Sequence, residues 1–149
     1  MTSALRPGAL VAGLVLLAAP VAAGCLAVVR LADEVELVRA ETTEFALSWR
    51  HSVTLTPVVA RYAIDDSGLR QIDERFAAHG PGLAHEAKGW RREGEEFVVP
   101  LDRPVPRLIL RAAPEHENRL RLPGALIDLT IWPGTPLEIL PLPCEDATR

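Results

Sequence analysis

From Leu26 onward the chain is a succession of short apolar segments cut by prolines, glycines and charged residues. "LAVVRL", "EVELVRA" and "EFALSWRHSV" come first, then "VVARYAI", "LRQIDERF", "EFVVPL", "RLILRA", "NRLRL", "ALIDLTIW" and "LEILPL". Turn residues separate them at a spacing of roughly 8 to 12 residues, and no helical period of useful length appears. The pattern predicts an all-β fold, a single antiparallel β-sandwich or barrel-like domain. Nine prolines fall at or after Pro100, so the second half is expected to consist of short strands at edges and corners. "DDSG" before Leu69 predicts a hairpin turn and "PEHEN" a looser polar reversal. "AAHGPGLAHEAKGWRREGEE" is longer than a hairpin connection needs, and long loops on small sandwiches often carry binding.

Ahead of these segments, Gly8 to Val29 contains no charge. The run would span a bilayer as a helix, but Pro20 interrupts it and small residues crowd its second half. Residues 1–24 are therefore expected to be a signal peptide or membrane anchor and 25–149 a single β domain. Cleavage is the first reading, an uncleaved anchor the second. In the third, "AAGC" is a lipobox and Cys25 is acylated. All three put the domain outside the cytoplasm, because Arg6 precedes the run while Asp33, Glu34 and Glu36 follow it. Two cysteines in an exported chain invite a Cys25–Cys144 disulfide across the domain's ends. The preferred expectation is that Cys25 is removed by processing, left in the membrane or acylated, so that Cys144 is unpaired. The net charge is −4, with no Lys/Arg cluster beyond short pairs, so nucleic acid is not an expected partner.

The first histidine, His51, follows Trp49 and precedes Ser52. In a continuous strand Phe45, Leu47, Trp49, His51 and Val53 would share one face, and Ser48, Arg50, Ser52 and Thr54 the other. That arrangement denies Ser52 a direct hydrogen bond to His51 and removes the simplest nucleophile–base pair. No G-x-S-x-G sequence supplies another nucleophile. The histidines and cysteines fit no standard metal spacing, and the carboxylates alternate along strands or sit in turns. His51 is expected to be structural, the domain to be no enzyme, and no metal or cofactor is expected. The expected core is Phe45, Leu47, Trp49, Tyr62, Phe76, Leu110, Leu129 and Ile131.

The order "FALSWRHSV", then "PVVARY", then "GLRQIDERF", then "HGPGL" resembles the small exported bacterial domains of unknown function numbered 1850. Members typically read F-x-L-x-[YW]-x-H-S-V-E, P-V-x-E-x-[YF], G-L-x-L-x-E-x-x-[FY] and a glycine-rich G-A-G-L after an N-terminal apolar segment. The resemblance is clear over residues 26 to about 100. It falls on Trp49, His51, Ser52, Val53, Tyr62, Phe76, Gly80, Gly82 and Leu83, whereas Thr54 and Ala60 replace the usual glutamates and Pro81 the usual alanine. The family is often encoded beside, or fused to, TRAP transporters of the TAXI class. The resemblance therefore implies a periplasmic, non-enzymatic accessory, with transporter membrane subunits or the TAXI substrate-binding protein as partners. The ligand or partner surface it implies is His51, Ser52, Tyr62, His79, Gly80, Gly82 and Leu83. The alternative is direct binding of a small organic anion by these residues, and a hydrolase built on His51 ranks last.

Overall fold

The computed structural model describes residues 24–84 and 88–144. They form a sandwich-like fold of two antiparallel sheets. The strands are β1 (Gly24–Arg30), β2 (Val35–Glu41), β3 (Glu44–Arg50), β4 (Pro57–Asp65), β5 (Gly68–Phe76), β6 (Arg91–Glu93), β7 (Glu96–Pro104), β8 (Leu108–Arg111), β9 (Arg119–Leu122), β10 (Ala125–Asp128) and β11 (Pro136–Pro143). One sheet runs β2-β1-β11-β8, the other β10-β9-β3-β4-β5-β7-β6. No helix among the described residues is long and apolar enough to cross a membrane.

The period-two alternation of β3 decides what lies between the sheets. Phe45 and Leu47 are buried and pair across β4 with Tyr62 and Ala60, while Ala46 and Ser48 pair with Arg61 and Val59 on the outer face. Facing them from the smaller sheet are Leu26 and Val28 of β1 and Leu137 and Ile139 of β11. Each such side chain, fully buried, contributes about 1.5–3 kcal/mol. A second cluster of Val58, Phe76, Leu83 and Val99 lies at one end, and Trp49 packs against both clusters.

The charge-free run is divided by the fold. Cys25, Leu26, Ala27 and Val28 are buried in succession in β1, which is sandwiched within its sheet between β2 and β11. A strand buried on both faces shows no alternation, which is why in sequence it reads as a continuation of the leader. Residues 1–23, and with them the fate of the targeting segment, lie outside the described residues. Cys25 and Cys144 form a disulfide across 119 residues, so the preferred expectation of unpaired cysteines is overturned. A bridge closing a loop of that length stabilises by about 2–5 kcal/mol. Its sulfur is not available for acylation, so this bonded state and a lipidated Cys25 exclude each other.

Three sequence expectations are corrected. Ile131 is 63% exposed, because "ALIDLTIW" is not one strand. The Asp128 carboxylate accepts hydrogen bonds from Thr130 N at 2.9 Å and Thr130 Oγ1 at 2.6 Å and starts a 3-10 turn over Leu129–Ile131. With three residues per turn, Leu129 enters the core and Ile131 points out. β11 is a long interior strand despite Pro136, Pro141 and Pro143, since β8 pairs only with Pro136–Ile139 and leaves an open edge beyond. The long glycine-rich segment is partly strand: β6 forms a hairpin with β7. Trp49 and Leu110 are half-buried against the main cluster, and Phe45, Leu47, Tyr62, Phe76 and Leu129 are buried as expected.

Candidate functional site

β3 ends at Arg50, one residue before His51, and the chain reverses through residues 51–56. His51 N donates to Thr56 O and Leu55 N to His51 O, both at 2.9 Å, which closes the loop at its root. The imidazole stiffens it from within. Nδ1 accepts from Val53 N at 3.2 Å and Thr54 N at 3.1 Å, so this nitrogen carries the lone pair. Nε2 therefore carries the proton and donates to Pro81 O at 3.1 Å. Both ring nitrogens of a residue only 6% exposed are thus committed to backbone. Such a ring holds shape, with neither nitrogen free to take a proton from a substrate. Val53 and Leu55, at the outside of the loop, are 65% and 58% exposed.

The glycine-rich segment meets this ring. Leu83 N donates to Gly80 O at 3.3 Å, Pro81 occupies the second position and Gly82 the third with φ +83°, the arrangement of a type II turn. Gly80 lies so close to the imidazole that a Cβ there would fall 2.6 Å from His51 Cε1. Leu83 plugs the second cluster, and Ala84 N donates to the buried Glu74 carboxylate at 2.9 Å. Glu74 accepts in turn from Gln71, whose amide oxygen accepts from Arg103. This buried polar chain was not singled out from sequence, because "QIDE" reads as a simple alternation. A bulge between Gln71 and Asp73 puts Gln71 and Glu74, three residues apart, on the same inner face opposite Tyr62 and Ala60, while Asp73 stays opposite Arg61 on the outer one.

His51, Gly80, Gly82 and Leu83 therefore converge. Ser52 is exposed on the loop, without a hydrogen bond to His51. Tyr62 is elsewhere: it pairs with Phe45, six residues before His51 along the chain, a distance of roughly 20 Å in strand geometry. Its ring stacks on Phe45 at 5.0 Å, and burial, with a smaller contribution from Glu74, pushes its phenol up to about 12. His79 packs against Phe97 with ring centroids 4.3 Å apart and meets Phe76 edge-on at 5.3 Å. His85 lies outside the described residues. Direct anion binding by His51, Tyr62 and the glycine loop would require them to line one pocket, and among the described residues Tyr62 does not line the cleft that His51, Pro81 and Gly82 share. Among the described residues no three His, Cys, Asp or Glu side chains gather as a metal site would require.

Two shallow clefts flank Trp49 and Arg50. One, of about 290 Å³, runs between His51, Ser52, Pro81 and Leu83 on one side and His116 and Asn118 on the other. The other, of about 240 Å³, lies over the outer face of β3 and β9 and is lined by Arg50, Arg119 and Arg121 with Ser48, Leu55 and Glu117. The arginines were not identified as site residues. Their signal was present, since Arg119 and Arg121 are two apart in a strand and share a face.

No curated protein and no solved structure matches the chain. A family's sequence model does match, beginning at Phe45 in β3 and running through the 51–56 loop, the glycine turn and β9 to Leu129, later in the chain than the resemblance read over residues 26–100. The chain thus belongs to the family described as a domain of unknown function (DUF1850), which matches it over residues 45–129.

Proposed function

We propose that this domain is an extracytoplasmic, non-enzymatic accessory of a TAXI-type TRAP transporter, working by docking to the membrane subunits or the substrate-binding protein. The observation that carries this reading is the use made of His51. Its ring nitrogens are spent on backbone, and the loop they stiffen exposes Val53 and Leu55. A rigid loop with two exposed aliphatic side chains loses little entropy on binding a partner. The Cys25–Cys144 bond suits an oxidising compartment, and the transporter association is what the resemblance of the motifs implies.

The test is co-purification of the full chain, expressed together with TAXI-type TRAP membrane subunits and their substrate-binding protein. Capture that is lost in Val53→Asp and Leu55→Asp, at unchanged melting temperature, is the expected result. A chain that purifies alone and whose deletion leaves transport intact overturns the proposal. A reporter active only outside the cytoplasm, fused after Arg149, is expected to be active. The mass of the exported chain distinguishes cleavage near residue 24 from retention of the leader.

A further inference from the structure

The cleft over β3 and β9 carries positive charge that is not neutralised internally. The larger cleft beside Ser67 contains Arg107, but its guanidinium is held by Glu138 at 2.7 and 2.8 Å. On the same outer face as the β3–β9 cleft, Arg61 is clamped by the buried Asp73 carboxylate. Arg50 and Arg121 differ. Arg50 donates through Nε to Leu55 O at 3.4 Å and Arg121 through Nε to Ser48 Oγ at 3.1 Å, and neither meets a carboxylate among the described residues. Arg119 has Glu117 at 3.7 Å and Asp128 opposite it on β10. Arg50 and Arg121 are thus the cleft's charges without a carboxylate partner among the described residues, in a chain whose net charge is −4.

Backbone strain points to the same place. Among the described residues three non-glycine residues have positive φ: Glu34, Leu55 at 56° and Glu117 at 49°. Leu55 and Glu117 both line this cleft. Such conformations cost of order 1 kcal/mol or more each and tend to gather where a chain is shaped for binding. Here they bring an aliphatic side chain and a carboxylate to the lining of the cleft. Ser48, 8% exposed, accepts from Arg121 and keeps its own hydroxyl proton to donate.

We infer that this cleft is a binding site for a small carboxylate with a short apolar body. The carboxylate lies between the Arg50 and Arg121 guanidinium groups and accepts from Ser48, and the hydrocarbon lies against Leu55, Pro57 and Val59. Arg119 adds charge, offset by Glu117 and Asp128. The inference shares Leu55 with the docking proposal but is tested apart from it, on Arg50 and Arg121 and on the chain without any transporter component.

The experiment is an NMR titration of the purified chain at low ionic strength with acetate, butyrate and inorganic phosphate. Saturable shifts at Arg50, Leu55, Arg119 and Arg121 are expected, with butyrate tighter than acetate or phosphate and binding weakened by salt. Arg50→Gln and Arg121→Gln each weaken butyrate binding at least about tenfold. Glu117→Gln strengthens it and Arg107→Gln leaves it unchanged, with melting temperatures showing all four folded. Absence of saturable butyrate binding, phosphate binding as tightly as butyrate, or equal loss in Arg107→Gln overturns the inference.

Discussion

His51 Nε2 donates to the carbonyl oxygen of Pro81, thirty residues along the chain, at 3.1 Å. Through this bond the loop after β3 and the glycine turn after β5 hold each other. The H-S-V and G-x-G-L elements, separate in sequence, are two halves of one hydrogen-bonded corner. The glycine turn needs the imidazole for a carbonyl partner, and the imidazole needs Gly80 for room.

Replacing His51 by alanine leaves the Val53 and Thr54 N–H groups and Pro81 O without their partner, at an expected cost of about 2–4 kcal/mol. Asparagine places an oxygen where Nδ1 accepts, and glutamine places an N–H near the position of Nε2. Thermal unfolding of the three variants checks this, with His51→Asn and His51→Gln each recovering part of the loss. Equal melting temperatures for wild type and His51→Ala would remove the structural role.

Gly80→Ala forces a methyl into the space of the ring and is expected to destabilise by about 1–3 kcal/mol. Most of that cost vanishes when His51 is already alanine, which a double-mutant cycle measures. Gly82→Ala, where nothing lies within 4 Å, costs only backbone strain, about 1 kcal/mol, whatever residue occupies position 51. Additive effects for the Gly80 and His51 pair would contradict the contact.

Tyr62 is the single tyrosine, so phenolate absorbance reports it alone. An unfolded phenol loses its proton near pH 10, whereas burial holds the native one up to about 12. Between these values the native state binds more protons than the unfolded state. Stability present in full below about pH 10 therefore falls, by about 1.4 kcal/mol per pH unit, as pH rises toward 12. Tyr62→Phe should flatten that part of the curve. Ionisation of the native protein near pH 10 would place the ring in water instead of against Phe45.

The Cys25–Cys144 bond joins β1 to the chain just past β11. Reduction, or Cys25→Ser with Cys144→Ser, is expected to lower the unfolding free energy by about 2–5 kcal/mol, as denaturant titration would record. Two reactive thiols in the denatured protein, purified without reductant, would refute the pairing.

The inner face of β3 was legible because Phe45, Leu47 and Trp49 alternate with polar residues, and the antiparallel architecture followed from many such short runs. His51 was assigned to structure from a place on the apolar face of a continuous strand, whereas its ring bonds to backbone from a loop. It lies just beyond the strand, in a loop whose hydrogen bonds no period reveals. Tyr62 was grouped with it by motif, although register carries it to the far end of the core. Ile131 and the inward turn of Glu74 escaped because a 3-10 turn and a bulge each break the period of two on which strand reading depends. The pairing of Cys25 was underrated because an apolar strand buried on both faces resembles the leader before it.

The most direct test of the corner built on His51 is the ¹⁵N resonance pattern of its ring at neutral pH in the folded protein. The account predicts one fixed tautomer, with Nε2 protonated toward Pro81 O and Nδ1 unprotonated, accepting from Val53 and Thr54. Rapid averaging between tautomers, or a proton resident on Nδ1, would contradict it.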